Sequence, residues 1–192
     1  MPAAVCINVQ TEYRLLERAV RYALPAARRA SPRLLSQPTP CAGWDLGTLL
    51  DHLGNSLDAL AEGLWVRAVG DVPEDGPSCH GDLGDRAAAM LRACAGVRGA
   101  QEPVTVGDRR LTTSVLAITG AIEVAVHGWD VSTACGQPTP VPPGLATELL
   151  PYAALLVPRQ TRPGLFADPV PVPRRSCAGD RLVAFLGRQP MR

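Results

Sequence analysis

Three side chains could supply ligands to a metal ion: His52, Glu123 and His127. Glu123 and His127 are four residues apart in a long apolar stretch, so on a helix they would lie one above the other on the same face. A buried carboxylate and imidazole must be paired, hydrogen-bonded or bound to a metal. Two imidazole nitrogens and a carboxylate oxygen suit zinc or another divalent transition metal. Three protein ligands also leave a position open for water or a substrate, as in catalytic sites.

The same residues have simpler interpretations, and the sequence leaves them open. Glu123 and His127 could form only a hydrogen-bonded pair, and His52 could be a core histidine with satisfied partners. The spacing Glu-x-x-x-His is common by chance. Asp130, one turn beyond His127, is either a carboxylate that orients a metal-bound imidazole or a residue near the helix end in contact with solvent.

Other reactive residues are weaker candidates. Cys79 and His80 lie side by side in a segment rich in Gly, Pro and Asp, where we expect a solvated loop rather than ligands. Cys41 has no histidine placed to activate it, so we interpret it as a structural thiol. If water is the nucleophile, Glu62 or Asp130 is a candidate base.

The composition excludes several classes of protein. The formal net charge is +1, and no basic patch interleaved with aromatic residues occurs, so neither nucleic acid nor a membrane surface is an expected partner. All 19 basic residues are arginine, which excludes a Schiff-base lysine and a Walker-type phosphate loop. The six cysteines are widely spaced without a Cys-x-x-Cys pair, and no secretory signal is visible, so a reduced, cytoplasmic protein is expected.

The candidate ligands require two helices that meet. The stretch 115–135 is apolar nearly all round, which predicts a buried central helix with Thr112 or Thr113 as its N-cap and Gly136 beyond its end. A second helix is predicted to begin after Asp45, as its N-cap, and to continue to about residue 69, with His52 at the edge of its leucine stripe. Further helices are predicted at 10–31 with a bend or early end at Pro25, 82–97, 143–156 and 178–186, together with a strand pair around residues 107–108.

Long helices with short connections predict an all-α protein, an antiparallel helical bundle. Residues 1–157 would form this bundle. Residues 158–192, rich in proline and arginine, would form an irregular extension that packs on the bundle and contains one short terminal helix. Trp44 and Trp129 are predicted to be core anchors or walls of a pocket.

Two separated motifs resemble a known family. Thr39–Leu53 (TPCAGWDLGTLLDHL) and Glu123–Val131 (EVAVHGWDV) are similar to two signatures of the DinB-like metal-binding family, which is related to the N-terminal domain of mycothiol-dependent maleylpyruvate isomerase. Phe166–Pro173 and Asp180–Arg188 resemble that family's C-terminal ending. Ala42 stands where the first motif usually has proline, a mild departure.

The resemblance implies a DinB-like four-helix bundle in which His52, Glu123 and His127 hold a divalent metal, zinc first, with nickel or iron as alternatives. It also implies that the metal activates a low-molecular-weight thiol, mycothiol in the relatives, for isomerisation or S-transfer, because a coordinated thiol is deprotonated. The isomerase has a further C-terminal domain that helps to form its active site. Here only the extension follows the bundle, so that contribution is missing or reduced.

Three functions remain as hypotheses. The first is a metal-dependent thiol transferase or isomerase that acts on a small electrophile such as an unsaturated acid or an epoxide. The second is a hydrolase, hydratase or tailoring enzyme of secondary metabolism that uses metal-activated water. The third is a binding protein that a metal only stabilises. A small-molecule substrate is the expected partner of an enzyme, and a homodimer is a further expectation because bundles of this family often pair through a helical face.

Overall fold

The computed structural model describes residues 9–70, 83–97, 102–162, 164 and 166–190. The helices in these ranges are α1 Val9–Ala27, α2 Leu46–Trp65, α3 Leu83–Gly96, α4 Thr113–Ala134, α5 Pro143–Leu156 and α6 Ala178–Phe185. The strands are β1 Ala68–Val69, β2 Pro103–Val106 and β3 Arg109–Thr112, and short 3-10 helices cover Pro32–Leu34 and Arg159–Thr161. The protein is therefore mostly helical, as predicted, with a small three-stranded sheet.

The central helix α4 lies in the interior along most of its length. Its N-cap is Thr112, whose hydroxyl accepts a hydrogen bond from the Val115 amide at 3.3 Å, and Gly136 follows its end with a φ of +70°. Among the described residues, α4 is the helix that is long and apolar enough to cross a membrane, and 78% of that apolar window is buried inside the protein. A helix buried to this extent inside the protein is a core helix.

A close approach of α1 to α4 depends on one glycine. A Cβ atom on Gly128 would lie 2.8 Å from the Ala23 Cβ and 2.9 Å from its Cα, closer than packed carbon atoms come. The two helices are in contact along much of their length, and the buried side of α1 consists mainly of leucine, valine and alanine side chains. Gly128 lies next to His127, so this packing fixes the part of α4 that carries the candidate ligands.

The start of α2 agrees with the prediction, and its end does not. The Asp45 carboxylate accepts hydrogen bonds from the Thr48 amide and hydroxyl, both at 2.8 Å, and so caps the helix. The helix ends at Trp65, four residues before the predicted end. Arg67 has a φ of +65°, which is incompatible with a right-handed helix. Ala68–Val69 then forms β1, which pairs in parallel with β2.

Helix α1 has the early end that was predicted from Pro25. It ends at Ala27, two residues after Pro25, because proline cannot donate the next helical hydrogen bond and its ring crowds the preceding turn. Glu12 in the first turn is a charged residue, yet it is buried with 1% exposure. The N-terminal turn of α1 therefore has a more enclosed surface than its sequence pattern indicates.

Helices α1 to α4 form a closed set of contacts. Helix α1 packs on α4 and on α3, and α2 packs on α3 and on α4. The core between them is built from aliphatic side chains, with Leu16, Leu49, Leu57, Met90 and Ala121 among the most buried. Helix α5 packs on α4 and α1 outside this set, and α6 packs on α5.

The predicted strand pair is confirmed, and the third strand is an addition. Strands β2 and β3 are antiparallel, with Val106 opposite Arg109 across the two-residue turn at Gly107 and Asp108. Strand β1 is two residues long, which is too short for an alternating pattern to be visible in the sequence. The sheet joins the end of α2 to the start of α4 and so ties together the two helices that carry the candidate ligands.

The C-terminal segment after α5 is held against the helices. Arg162 is 3% exposed, donates hydrogen bonds at 2.9 Å to the carbonyl oxygens of Ala167 and Phe185, and stacks on the Phe185 ring at 4.6 Å. Val170 adds a backbone hydrogen bond to Ala184 at 2.9 Å. These contacts fix α6 although the segment before it is largely irregular.

Candidate metal centre

The two helices bring the three predicted ligands together. His52 on α2 lies opposite Glu123 and His127 on α4, and the His52 Nε2 atom is 2.9 Å from the Glu123 Oε1 atom. One ligand atom from each of the three residues lies within 4.8 Å of the others. His52 is thus brought to Glu123 and His127, which follow it by 71 and 75 residues in the sequence, because α2 packs directly on α4.

This donor set fits a divalent metal ion. Bonds of about 2.0–2.2 Å from zinc to nitrogen and oxygen require donors that converge to about 3–4 Å from one another. The His52 and Glu123 atoms already do so at 2.9 Å, and the third donor lies inside the 4.8 Å limit. The group could therefore hold a metal ion. The hydrogen-bonded pair that we considered between Glu123 and His127 is not what forms, because Glu123 bonds across to α2 instead.

Ser56, one turn beyond His52 on α2, is a further member of the site. Its hydroxyl donates a hydrogen bond of 2.5 Å to the Glu123 Oε1 atom. Burial acts to raise the pKa of the Glu123 carboxyl, but the hydrogen bond from His52, the electrostatic interaction with His127 and the hydrogen bond from Ser56 together lower that pKa below its ordinary value. Glu123 is thus kept in the ionised form that a metal ligand requires.

One side of the group is open to solvent. The side chains of His52 and Glu123 are 37% and 31% exposed, whereas that of His127 is 9% exposed. A small molecule could therefore reach the ligand atoms from the side of His52 and Glu123 while His127 anchors the group to the interior.

Asp130 orients the buried imidazole. Its side chain is fully buried, and its Oδ2 atom lies 3.1 Å from the Nδ1 atom of His127. An ionised carboxylate can only accept, so Nδ1 carries the proton and Nε2 keeps its lone pair free for a ligand bond. Of the two roles that the sequence left open, orienting the ring is the one that this geometry provides, because solvent does not reach Asp130.

Arg188 also belongs to the site, and we did not predict it. Its Nη2 atom lies 2.9 Å from the Asp130 Oδ2 atom, and its Nε atom lies 3.3 Å from both carboxylate oxygens. The side chain is only 6% exposed. The local signal was Gly187, which can end a helix and turn the next residue back. That signal does not say which distant carboxylate the arginine meets.

The loop before α2 places an indole ring beside both imidazoles. The centroid of the Trp44 ring lies 4.6 Å from that of His52 and 6.1 Å from that of His127. The Thr39 hydroxyl holds the loop by donating to the Trp44 carbonyl at 2.9 Å and accepting from the Cys41 amide at 3.1 Å. Trp44 therefore forms a wall of the site, whereas Trp129 is buried in the core.

The remaining candidates lie elsewhere or outside the described residues. Cys41 is half-buried, and burial raises the pKa of its thiol although the nearby Arg188 charge opposes this. Glu62 is exposed and ten residues from His52, about 15 Å further along α2. Cys79 and His80 fall in 71–82, which the structure does not describe.

Comparison with known proteins places the chain in a family. The fold and site define a mostly helical protein whose packed helices carry a His–Glu–His group able to hold a metal ion. No family model matches the chain, and no solved structure matches it. It is 33% identical over 158 residues to Uncharacterized protein Rv0738 and to Uncharacterized protein MT0763, both from Mycobacterium tuberculosis, and the match covers 80% of this chain and 85% of each relative. The chain belongs to the same family as these mycobacterial proteins.

Proposed function

We propose that the protein binds one divalent transition metal at His52, Glu123 and His127 and uses it to activate a small thiol toward an electrophilic metabolite. The observation that carries this proposal is the convergence of the three ligand atoms to within 4.8 Å on two packed helices. A divalent metal held by these residues would supply Lewis-acid chemistry, which lowers the pKa of a coordinated thiol or water molecule.

Zinc is the first candidate for the metal. Two imidazole nitrogens and one carboxylate oxygen are a common ligand set of catalytic zinc, and nickel or iron also accept imidazole ligands. The lowered pKa of Glu123 supports any of these ions, since the carboxylate is already ionised at neutral pH. The rank order among them rests on ligand chemistry alone.

We also propose that α1, α2, α3 and α4 form a DinB-like four-helix bundle. The cyclic order of contacts, from α1 to α4 to α2 to α3 and back to α1, supports this arrangement. Metal sites of bundles are commonly built from side chains on facing helices, as His52 on α2 faces Glu123 and His127 on α4. The resemblance to mycothiol-dependent enzymes gives the thiol as the co-substrate.

The residues of the site have different proposed roles. His127 is the buried anchor, and the exposed side of His52 and Glu123 is where a thiol and an electrophile would enter. Trp44 covers the imidazoles and limits the space beside them. Asp130 is unsuited to be a base that meets the substrate, because it is fully buried and already binds both His127 and Arg188.

A thiol-consumption assay tests this proposal. Zinc-loaded protein is mixed with mycothiol and a panel of small unsaturated acids and epoxides, and both free thiol and substrate are followed. We expect turnover that needs metal and thiol together and is lost in His127→Ala. The control is His80→Ala, which removes the third histidine of the chain and keeps all three proposed ligands.

Two outcomes would replace the thiol mechanism. Turnover that is indifferent to thiol but needs metal would favour a hydrolase or hydratase that uses water. Metal that raises the melting temperature without turnover of any substrate in the panel would favour a binding protein that the metal stabilises. The absence of metal binding would contradict all three functions.

A further inference from the structure

A chain of polar contacts extends from the ligand His127 through Asp130 to Arg188 in the C-terminal segment. Asp130 Oδ2 is shared, with His127 Nδ1 at 3.1 Å on one side and Arg188 Nη2 at 2.9 Å on the other. Asp130 is fully buried and Arg188 is 6% exposed, so water does not compete for these bonds. A carboxylate held by a guanidinium in this way has a fixed position.

The position of Arg188 is set by the way α6 ends. The Gly187 amide donates to the Ala184 carbonyl at 3.0 Å and the Arg188 amide donates to the Val183 carbonyl at 2.9 Å, which is the Schellman pattern of a helix C-terminus. Gly187 has a φ of +86°, and a Cβ atom there would lie 2.8 Å from the carbonyl oxygen of Ala167. The turn therefore needs glycine, and it directs the next side chain back toward α4.

Further contacts keep the guanidinium in one orientation. The Arg188 Nη1 atom donates to the Leu186 carbonyl at 2.8 Å, and the guanidinium lies 6.0 Å from the centroid of the Phe166 ring. The same side chain is therefore bound to its own segment by one nitrogen and to Asp130 by the other two. It links the C-terminal segment to the carboxylate that orients His127.

We propose that Arg188 is a positioning residue of the metal centre. It holds Asp130 against His127 Nδ1, keeps Nε2 of His127 directed at the metal, and so couples the docking of α6 to metal binding. This inference rests on the proposed metal binding. Such coupling is reciprocal: if Arg188 strengthens metal binding, the metal must strengthen the attachment of α6 by the same free energy.

Zinc affinity and hydrogen exchange, measured on the full chain, test the coupling. The variants are Arg188→Met, Arg188→Lys, Asp130→Asn and the double variant Arg188→Met with Asp130→Asn. Arg162→Met is the control for weaker attachment of α6 alone, because Arg162 is similarly buried in the same segment and donates to the carbonyl groups of Ala167 and Phe185 rather than to Asp130. Zinc affinity is measured by competition with a chelating indicator, and amide exchange in residues 178–188 is measured with and without zinc.

We expect Arg188→Met and Asp130→Asn each to lower zinc affinity by about 10–100-fold, the range found for residues that support metal ligands. The double variant should lose less than the two losses combined, because both act on the same carboxylate. Arg188→Lys should retain part of the affinity, since lysine keeps the charge but not the two-nitrogen contact. Zinc should slow exchange in residues 178–188 of the wild type and not in Arg188→Met.

The opposite results separate the two proposals. If the wild type binds zinc but Arg188→Met binds it equally well, or if Arg162→Met loses as much affinity, Arg188 has no positioning role and the metal site stands. If the wild type binds no zinc, the proposed function itself fails. Should Arg188→Met not fold, Arg188→Lys and Asp130→Asn carry the same test, and unchanged affinity in both overturns the coupling.

Discussion

Two arginine–carboxylate pairs each join distant parts of the chain, and they differ in burial rather than in length. Arg18 on α1 binds Glu148 on α5 at 2.7 Å, and Arg188 after α6 binds Asp130 on α4 at 2.9 Å. The side chains of the first pair are 41% and 47% exposed, whereas those of the second are 6% and 0% exposed. The shorter pair is thus the one that water surrounds.

The difference shows what burial does to an ion pair. A solvated pair such as Arg18–Glu148 is screened and contributes about 0–1 kcal/mol to stability. Removing one partner of a buried pair leaves an uncompensated charge and costs about 3–5 kcal/mol. The buried pair also holds the ring of His127, so a change in it should reach the candidate metal centre, and a change in the exposed pair should not.

The largest effect is expected when Asp130 is removed. Asp130→Ala leaves the Arg188 charge buried without its partner and should lower the free energy of unfolding by about 3–5 kcal/mol. Urea unfolding of the metal-free protein measures this. A loss below about 1 kcal/mol would mean that water or another group reaches Arg188, and the buried pair would then resemble the exposed one.

The second largest loss of stability is expected at Gly187, in the turn that places Arg188. Gly187→Ala forces a side chain into the left-handed region and against the Ala167 carbonyl oxygen, so we expect a loss of about 2 kcal/mol together with weaker zinc binding. Gly84→Ala in α3 is the control, since a Cβ atom there meets nothing within 4 Å. Urea unfolding should find this control neutral or slightly more stable than the wild type. Equal stability of the two variants would contradict the role of the turn.

Loss of a partly buried contact should lower the free energy of unfolding by an amount between those of the two ion pairs. Ser56→Ala removes the hydroxyl that donates to Glu123, and we expect it to cost about 1 kcal/mol of unfolding free energy. Zinc binding should weaken modestly, because Glu123 keeps its place beside His52. Chemical unfolding and a zinc titration of the same preparation check both numbers. A loss as large as that of Asp130→Ala would break the proposed ranking by burial.

The smallest effect is expected at the exposed pair. Glu148→Gln should change the free energy of unfolding by less than about 1 kcal/mol, and the difference from the wild type should shrink in about 1 M salt. Its zinc affinity should equal that of the wild type. A change in zinc affinity would show that this exposed pair is coupled to the site and would contradict the contrast with the buried pair.

The helices and the three candidate ligands could be predicted because their signals are local. Glu123 and His127 share a face because they are four residues apart in a helix. Asp45, as an N-cap residue, predicted the start of the helix that carries His52. The strand pair around Gly107 was also visible from its turn residues.

What the sequence did not reveal depends on contacts between distant segments. Arg188 is 58 residues from Asp130, and no periodic pattern relates an arginine after one helix to an aspartate inside another. Glu12 is buried although it is a charged residue, and β1 is two residues long and is recognised by its pairing with β2. Such features follow from packing rather than from propensity.

Zinc titration of metal-free protein tests the central claim most directly. The wild type and His80→Ala should each bind one equivalent of zinc, and His52→Ala and His127→Ala should lose most of that affinity. Trp44, beside both imidazoles, supplies a fluorescence signal for the titration, and elemental analysis gives the stoichiometry. Equal zinc affinity in His52→Ala, His127→Ala and the wild type would contradict the assignment of this site.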